Sequence, residues 1–117
     1  FQQDQPLRIA VVDKAMPSKA QWFEADFPSI YHFGDAHERD GRITVRAVQH
    51  LDLEEARSPM RAAMNGDVHG DAHGGKGPLR ELVLDLRSGK AHWEDTGIAG
   101  IEFPVFDART PSRGAAR

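Results

Sequence analysis

Two residues of the chain combine an ionisable side chain with an apolar setting. His32 stands in the middle of the apolar segment Pro28–Ala36, and Glu102 lies between two large apolar residues, two positions before Pro104. A neutral imidazole is the commonest metal ligand in proteins, and a carboxylate bonded to the second ring nitrogen orients such a ligand. Spacing alone leaves the commoner explanations open, namely a hydrogen-bonded core or surface histidine and a strand-edge glutamate that faces water.

The strand pattern around His32 makes a more specific prediction. If Pro28–Ala36 is a regular strand, Ile30, His32 and Gly34 share one face, and Gly34 leaves room beside the imidazole for a ligand or a close backbone. Glu38 has the same parity, so it is expected to add a carboxylate near the end of this face.

A second histidine cluster occurs in the glycine-rich segment 66–78. His69 and His73 alternate there with Asp67 and Asp71. The H-x-x-x-H spacing brings both rings together only on a helix, and this composition opposes a helix. The segment is therefore predicted to be a flexible loop, with weak zinc or nickel binding as the alternative. The three remaining histidines, His37, His50 and His92, are predicted to lie on the surface.

Short apolar runs separated by turn signals set the fold prediction. The candidate strands are Leu7–Val12, Ala20–Phe23, Pro28–Ala36, Arg42–Leu51, Leu79–Leu86, Ala91–Glu94 and Ile98–Phe106. Asp40-Gly41 predicts a hairpin turn, and one short helix is predicted from Ser58-Pro59 to Asn65-Gly66. The pattern predicts an all-β antiparallel meander, a single unit over residues 1–117 that is marginally stable alone.

Composition excludes several classes of function. The net charge is −3 in 117 residues and the pI is about 6.1, so bulk electrostatic binding to nucleic acid is not expected. The absence of cysteine excludes disulfides and thiolate metal sites. No apolar run reaches the roughly 18 residues of a membrane span, and no signal peptide is visible, so a cytoplasmic location is expected.

Three motifs in order resemble the carotenoid cleavage oxygenase family, which includes the lignostilbene dioxygenases. DQPLRIAVVDK is similar to the family's P-x-R-x-G-V strand, and AQWFEADFPSIYHFGDAHERDGRITV to its W-F-E and F-H-x-x-N-A-x-E segment. LRELVLDLRSGKAHWEDTGIAGIEFPVFDAR resembles the L-x-R-x-x-L-D-L-x-T-G strand followed by E-F-P-R. Together these motifs cover nearly the whole chain outside the glycine-rich segment.

The resemblance implies a seven-bladed β-propeller that holds iron(II) on its axis through four histidines, three of them bonded to glutamates. His32 matches the histidine of F-H-x-x-N-A and is implied to be a metal ligand; Glu102 matches the glutamate of E-F-P and is implied to orient it. The cofactor would be Fe²⁺, and the reaction would be cleavage of a conjugated C=C bond of a carotenoid, apocarotenoid or stilbene by O2 into two carbonyl products.

Departures from the family pattern define what this chain would be. The motif asparagine is Asp35, the following aromatic is His37, the arginine after E-F-P is Val105, and the other three histidine motifs are absent. The chain is therefore predicted to be about two blades of such a propeller, inactive without the remainder of the propeller. The alternatives are a non-catalytic, degenerate β-module for interaction or assembly, and a small metal-binding domain built on His69 and His73.

Overall fold

The structure is a computed structural model, and it describes residues 5–26, 29–50, 61–66, 77–101 and 103–105. Within these ranges it contains six strands and a helical turn at residues 61–64. The strands are β1 (Leu7–Asp13), β2 (Met16–Ala25), β3 (Ser29–Arg39), β4 (Arg42–His50), β5 (Gly77–Asp85) and β6 (Lys90–Ile101). In these residues no helix is long and apolar enough to cross a membrane.

The strands form two antiparallel sheets. β1 and β2 make a two-stranded sheet, and the other four make a sheet in the order β3-β4-β5-β6. Each pairing joins strands that are consecutive in the chain. The prediction of an all-β antiparallel meander is confirmed.

The predicted hairpin turn joins β3 to β4. Asp40 and Gly41 have φ angles of 53° and 77°, as a two-residue turn matched to the right-handed twist of its strands requires. A second turn, after β5, is organised by Asp85, whose carboxylate accepts hydrogen bonds from the backbone N–H groups of Arg87 at 2.9 Å and Ser88 at 3.0 Å.

Several strand predictions were wrong in their bounds. β3 extends to Arg39, three residues beyond its predicted end, and the larger differences are at β2 and β6. β2 begins at Met16 and includes Pro17. Met16 pairs with Asp13 and Ala20 with Val12, so the residues between Met16 and Ala20 lie outside the ladder. Proline, which has no N–H group to donate, is tolerated at such a position.

The segments Ala91–Glu94 and Ile98–Phe106 were predicted to be separate strands. Instead, β6 runs unbroken to Ile101, and Phe103–Val105 lies outside any strand. The ladder passes a bulge at Thr96–Gly97, where the Thr96 hydroxyl donates a hydrogen bond to the Leu79 carbonyl oxygen.

The predicted helix and loop fall partly outside the described residues. The helical turn at 61–64 is closed by hydrogen bonds from the amides of Asn65 and Gly66, where the sequence predicted its end. β5 includes Gly77 and Pro78, the last two residues of the predicted loop, and residues 67–76 lie outside the described ranges.

The core lies between the two sheets. Phe23 and Ala25 of β2 pack on Leu82 and Leu84 of β5, all four of them buried. Partly buried apolar residues surround them: Leu7, Ile9, Val11, Ile43, Val45, Leu86, Ala91 and Trp93. We call the side of the four-stranded sheet that packs on the β1–β2 hairpin the core face. The opposite side, which carries Arg46, Val48 and Glu81, is the far face.

Candidate metal-ligand site

His32 lies on the far face, at a point where β3 is irregular. It is paired with Val48, and the β3–β4 register shifts on both sides of it, between Ile30 and His32 and between Phe33 and Ala36. Residues directly opposite in an antiparallel pair point to the same side. The imidazole is partly exposed, so His32 is not a fully enclosed core histidine.

The predicted set of residues on the face of His32 is only partly correct. Ile30 pairs with Gln49 and Glu38 with Ile43, which places both on the core face, so Glu38 does not supply a carboxylate to His32. The cause is the pair of register shifts, since each one exchanges the faces of all residues beyond it.

Phe103 contacts His32 directly. The two ring centroids are 4.4 Å apart and the ring planes are tilted by 49°. Phe103 comes two residues after the end of β6, at the opposite edge of the sheet from β3. The segment with the E-F-P motif therefore reaches the strand that carries the histidine, a contact that spacing alone did not predict.

Gly34 is the second contact between these segments. A Cβ built at Gly34 would lie 3.4 Å from the Cβ of Pro104 and 3.4 Å from the Cβ of Arg46. As predicted, Gly34 leaves room beside the histidine for a close backbone segment. Among the described residues, Pro104 occupies this room. His32 and Gly34 thus hold Phe103 and Pro104 as a consecutive pair.

An ion-pair network lies beside this contact. Arg46 Nε donates to Glu81 Oε1 at 2.9 Å, and Arg46 Nη1 lies 3.5 Å from Asp35 Oδ1. The hydrogen bond to Glu81 raises the pKa of Arg46, and the nearby Asp35 carboxylate raises it further against the opposing effect of burial. Asp35 replaces the asparagine of the family motif, and in this chain its charge has a partner.

The sequence reasoning missed this network. Its members lie on three strands, so they meet only in the observed β3–β4 and β4–β5 registers. The sequence carries opposite charges at polar positions of neighbouring strands. Their pairing could have been predicted only if the registers of those strands had been known.

Glu102 lies outside the described residues, so its pairing with His32 stays a prediction. Its chain neighbours are described: Ile101 ends β6 opposite Gly77, and Phe103 contacts His32.

The other histidines of the described residues differ in their surroundings. His92 is exposed and lies 2.9 Å from Glu94, and His37 is partly exposed. His50 is only 7% exposed, so its predicted surface position was wrong. His69 and His73 lie outside the described ranges. In the part of the chain that the structure describes, no three histidine, cysteine or acidic side chains are grouped as a metal site requires.

A cleft of about 510 Å³ opens on the core side of the sheet, next to the end of β2. Arg80 Nη1 donates to Gln49 Oε1 there at 3.0 Å, and the buried Arg80 Nε has no hydrogen-bond partner among the described residues. The lining also includes Glu24 and Asp26, so both signs of charge are present. The cleft is separated from His32 by the sheet.

The architecture defines a class of fold. A complete four-stranded antiparallel meander stacked face to face on two strands of another sheet is the arrangement of neighbouring blades in a β-propeller. The structure is similar to that of a variant of the apocarotenoid oxygenase of Synechocystis, a propeller-type oxygenase. The TM-score is 0.55 at 16% sequence identity, and the match covers 81% of this chain and 19% of that one. The chain thus spans about a fifth of the length of the solved relative.

The sequence comparison gives the family. The family described as RPE65, retinal pigment epithelial membrane protein, matches residues 1–115. The chain belongs to this family of carotenoid cleavage oxygenases, as its three motifs predicted. No curated protein matches the chain.

Proposed function

We propose that the chain is part of an iron(II) dioxygenase that cleaves a conjugated C=C bond of a carotenoid, apocarotenoid or stilbene with O2, giving two carbonyl products. His32 is proposed as one of its metal ligands. The observation that carries the proposal is the contact between His32 and Phe103, which joins the histidine motif to the E-F-P motif in a chain that matches the family over residues 1–115.

The surroundings of His32 are compatible with a role as one of several ligands of an iron centre. The imidazole is partly exposed on the far face, and its ring contacts that of Phe103. Glu102, the residue before Phe103, is proposed to accept a hydrogen bond from the ring nitrogen that does not bind metal. Iron(II), when bound, would supply the activation of O2. One imidazole cannot hold it, so the remaining ligands are proposed to come from the rest of the propeller.

The outer face of the β1–β2 hairpin is the proposed contact with that remainder. Ala10 pairs with Trp22 and Val12 with Ala20 on this face, and all four are exposed. Trp22 is 57% exposed and Val12 46%. Arg8 and Glu24 form an ion pair on the same face, beside this patch. An exposed apolar patch bordered by charged residues is typical of a protein–protein interface.

The experiment that tests the fragment hypothesis adds ferrous iron to the purified 117-residue chain under air with an apocarotenoid or a stilbene. We expect no aldehyde products by liquid chromatography and mass spectrometry, because the chain supplies one proposed ligand. Turnover by this chain alone would overturn the hypothesis.

A second candidate is a non-catalytic β-module that uses the same apolar face for assembly. The observation in its favour is Val105, which stands in place of the arginine of E-F-P-R and is 92% exposed. The coding sequence on either side separates the candidates: three further histidines in family motifs favour the oxygenase, and stop codons on both sides favour the module.

A further inference from the structure

The register of the β3–β4 hairpin determines which face His32 occupies. The turn pairs Arg39 with Arg42, and in a regular antiparallel ladder each step back along β3 is one step forward along β4. His32 lies seven residues before Arg39, and Gln49 lies seven residues after Arg42, so a regular hairpin would place His32 opposite Gln49. The observed partner is Val48.

The difference of one residue arises at Gly34 and Asp35. Phe33 pairs with Ala47 and Ala36 with Val45, so two residues of β3 face the single residue Arg46. This is a β-bulge, and it shifts every residue of β3 that precedes it to the opposite side of the sheet. Without the bulge, His32 would lie on the core face, toward the β1–β2 hairpin and away from Phe103.

Gly34 has a steric reason to be the extra residue. Because the bulge turns residues 34 and 35 to the same side, a side chain at 34 has to fit between Arg46 and Pro104, each 3.4 Å from the position of its Cβ. A methyl group fits at contact distance, and we expect the additional atoms of a larger side chain to overlap one of these two neighbours. Asp35, the other residue of the bulge, is held by Arg46.

We propose that the Gly34–Asp35 bulge is the positioning element for His32, and that Gly34 is the positioning residue that permits it. The bulge turns the imidazole to the far face and into contact with Phe103, while Pro104 covers the gap at Gly34. The importance of this orientation for metal binding rests on the proposed function, but the orientation itself does not.

The test is nuclear magnetic resonance on the 117-residue chain, with two observables. One is the cross-relaxation between the ring protons of His32 and Phe103, and the other is the set of cross-strand backbone contacts of His32. In the parent chain we expect the ring contact and pairing with Val48. Gly34→Val should remove the ring contact and move His32 opposite Gln49, whereas Gly34→Ala should leave both unchanged.

Deletion of Gly34 keeps the proposal falsifiable if Gly34→Val does not fold. Removing the extra residue makes the ladder regular with Asp35 opposite Arg46 and His32 still opposite Val48, so the ring contact should persist. A deletion variant that folds with His32 opposite Gln49 would overturn the proposal, as would Gly34→Val with the parent pairing. Neither readout involves metal: if the variants behave as expected but His32 proves unnecessary for iron, only the proposed function fails.

Discussion

Phe23 and Trp22 are adjacent aromatic residues on opposite faces of β2. Replacing each by alanine measures how much each face contributes to the free energy of unfolding. Phe23 is 1% exposed and belongs to the core between the sheets, whereas Trp22 is 57% exposed. The difference in their effects measures whether the hairpin packs on the larger sheet through the face that the structure shows.

The expected magnitudes differ several-fold. Truncating a buried phenylalanine costs about 3–5 kcal/mol through lost transfer free energy and the cavity that remains, against a total stability of about 5–15 kcal/mol for a typical domain. Trp22 loses partial burial and its contact with the guanidinium of Arg8, 5.0 Å from the ring centroid. An exposed cation–π contact contributes about 0.5–1 kcal/mol, so Trp22→Ala should cost roughly 1 kcal/mol.

The assay is equilibrium unfolding in urea followed by far-ultraviolet circular dichroism. The chain has two tryptophans, so in Trp22→Ala the fluorescence reports only Trp93, whose Nε1 donates to the Asp26 carbonyl oxygen at 3.2 Å across the two sheets. If Phe23→Ala abolishes cooperative unfolding, Phe23→Leu provides a milder change of about 1 kcal/mol. Equal costs for Phe23→Ala and Trp22→Ala would refute the packing described here.

Three further predictions concern single residues of the four-stranded sheet. Gly77→Ala should lower the free energy of unfolding by about 1–3 kcal/mol, because the added Cβ would overlap the Gln49 carbonyl oxygen; urea unfolding measures it. Arg46→Ala should cost about 1–2 kcal/mol by the same assay, since it leaves the Glu81 and Asp35 carboxylates, each 24% exposed, unpaired side by side. Hydrogen bonds from the amides of Ser88 and Arg87 lower the pKa of Asp85 from 3.8. The ionised Asp85 carboxylate therefore stabilises the folded state above about pH 4, and this contribution is lost as the pH falls further. In a plot of the urea unfolding midpoint against pH, Asp85→Asn should flatten the acid side.

Each of these changes has a matched control. Gly34→Ala introduces the same methyl group where the nearest atoms are 3.4 Å away, and it should cost less than Gly77→Ala. Arg39→Ala breaks an ion pair whose side chains are 80% and 86% exposed, and it should cost little. Asp40→Asn removes one carboxyl group from an exposed side chain and is the charge-matched control for Asp85→Asn. A larger effect in any control than in its partner would contradict the corresponding argument.

The sequence predicted the hairpins well where the turn residues decide the structure. Asp40-Gly41 is such a case, because few residue pairs adopt two consecutive positive φ angles. It failed at β2 and β6, because the predicted bounds left out Pro17 and the Thr96–Gly97 pair. Both are absorbed as bulges within continuous strands, since the ladder resumes beyond them. Such continuity depends on the partner strand, which local sequence does not describe.

The candidate site depends even more strongly on partner strands that the local sequence does not describe. The apolar setting singled out His32 and the family motif implied its role as a metal ligand. The contact with Phe103 places the two motifs together. The face of His32 and of its neighbours could not be derived from alternation, because two register shifts lie within a few residues of it. The partners of Arg46 were likewise invisible, since Glu81 follows it by 35 positions and meets it only across β4 and β5.

The most direct test of the central claim, that His32 is one ligand of an iron centre completed by the rest of the propeller, is the iron content of the protein encoded by the complete reading frame. It would be measured by plasma mass spectrometry after gel filtration, for the parent, His32→Ala and the exposed control His92→Ala. The account predicts about one iron per chain in the parent and in His92→Ala, and at least a tenfold loss in His32→Ala. Equal iron content in His32→Ala and the parent would contradict it.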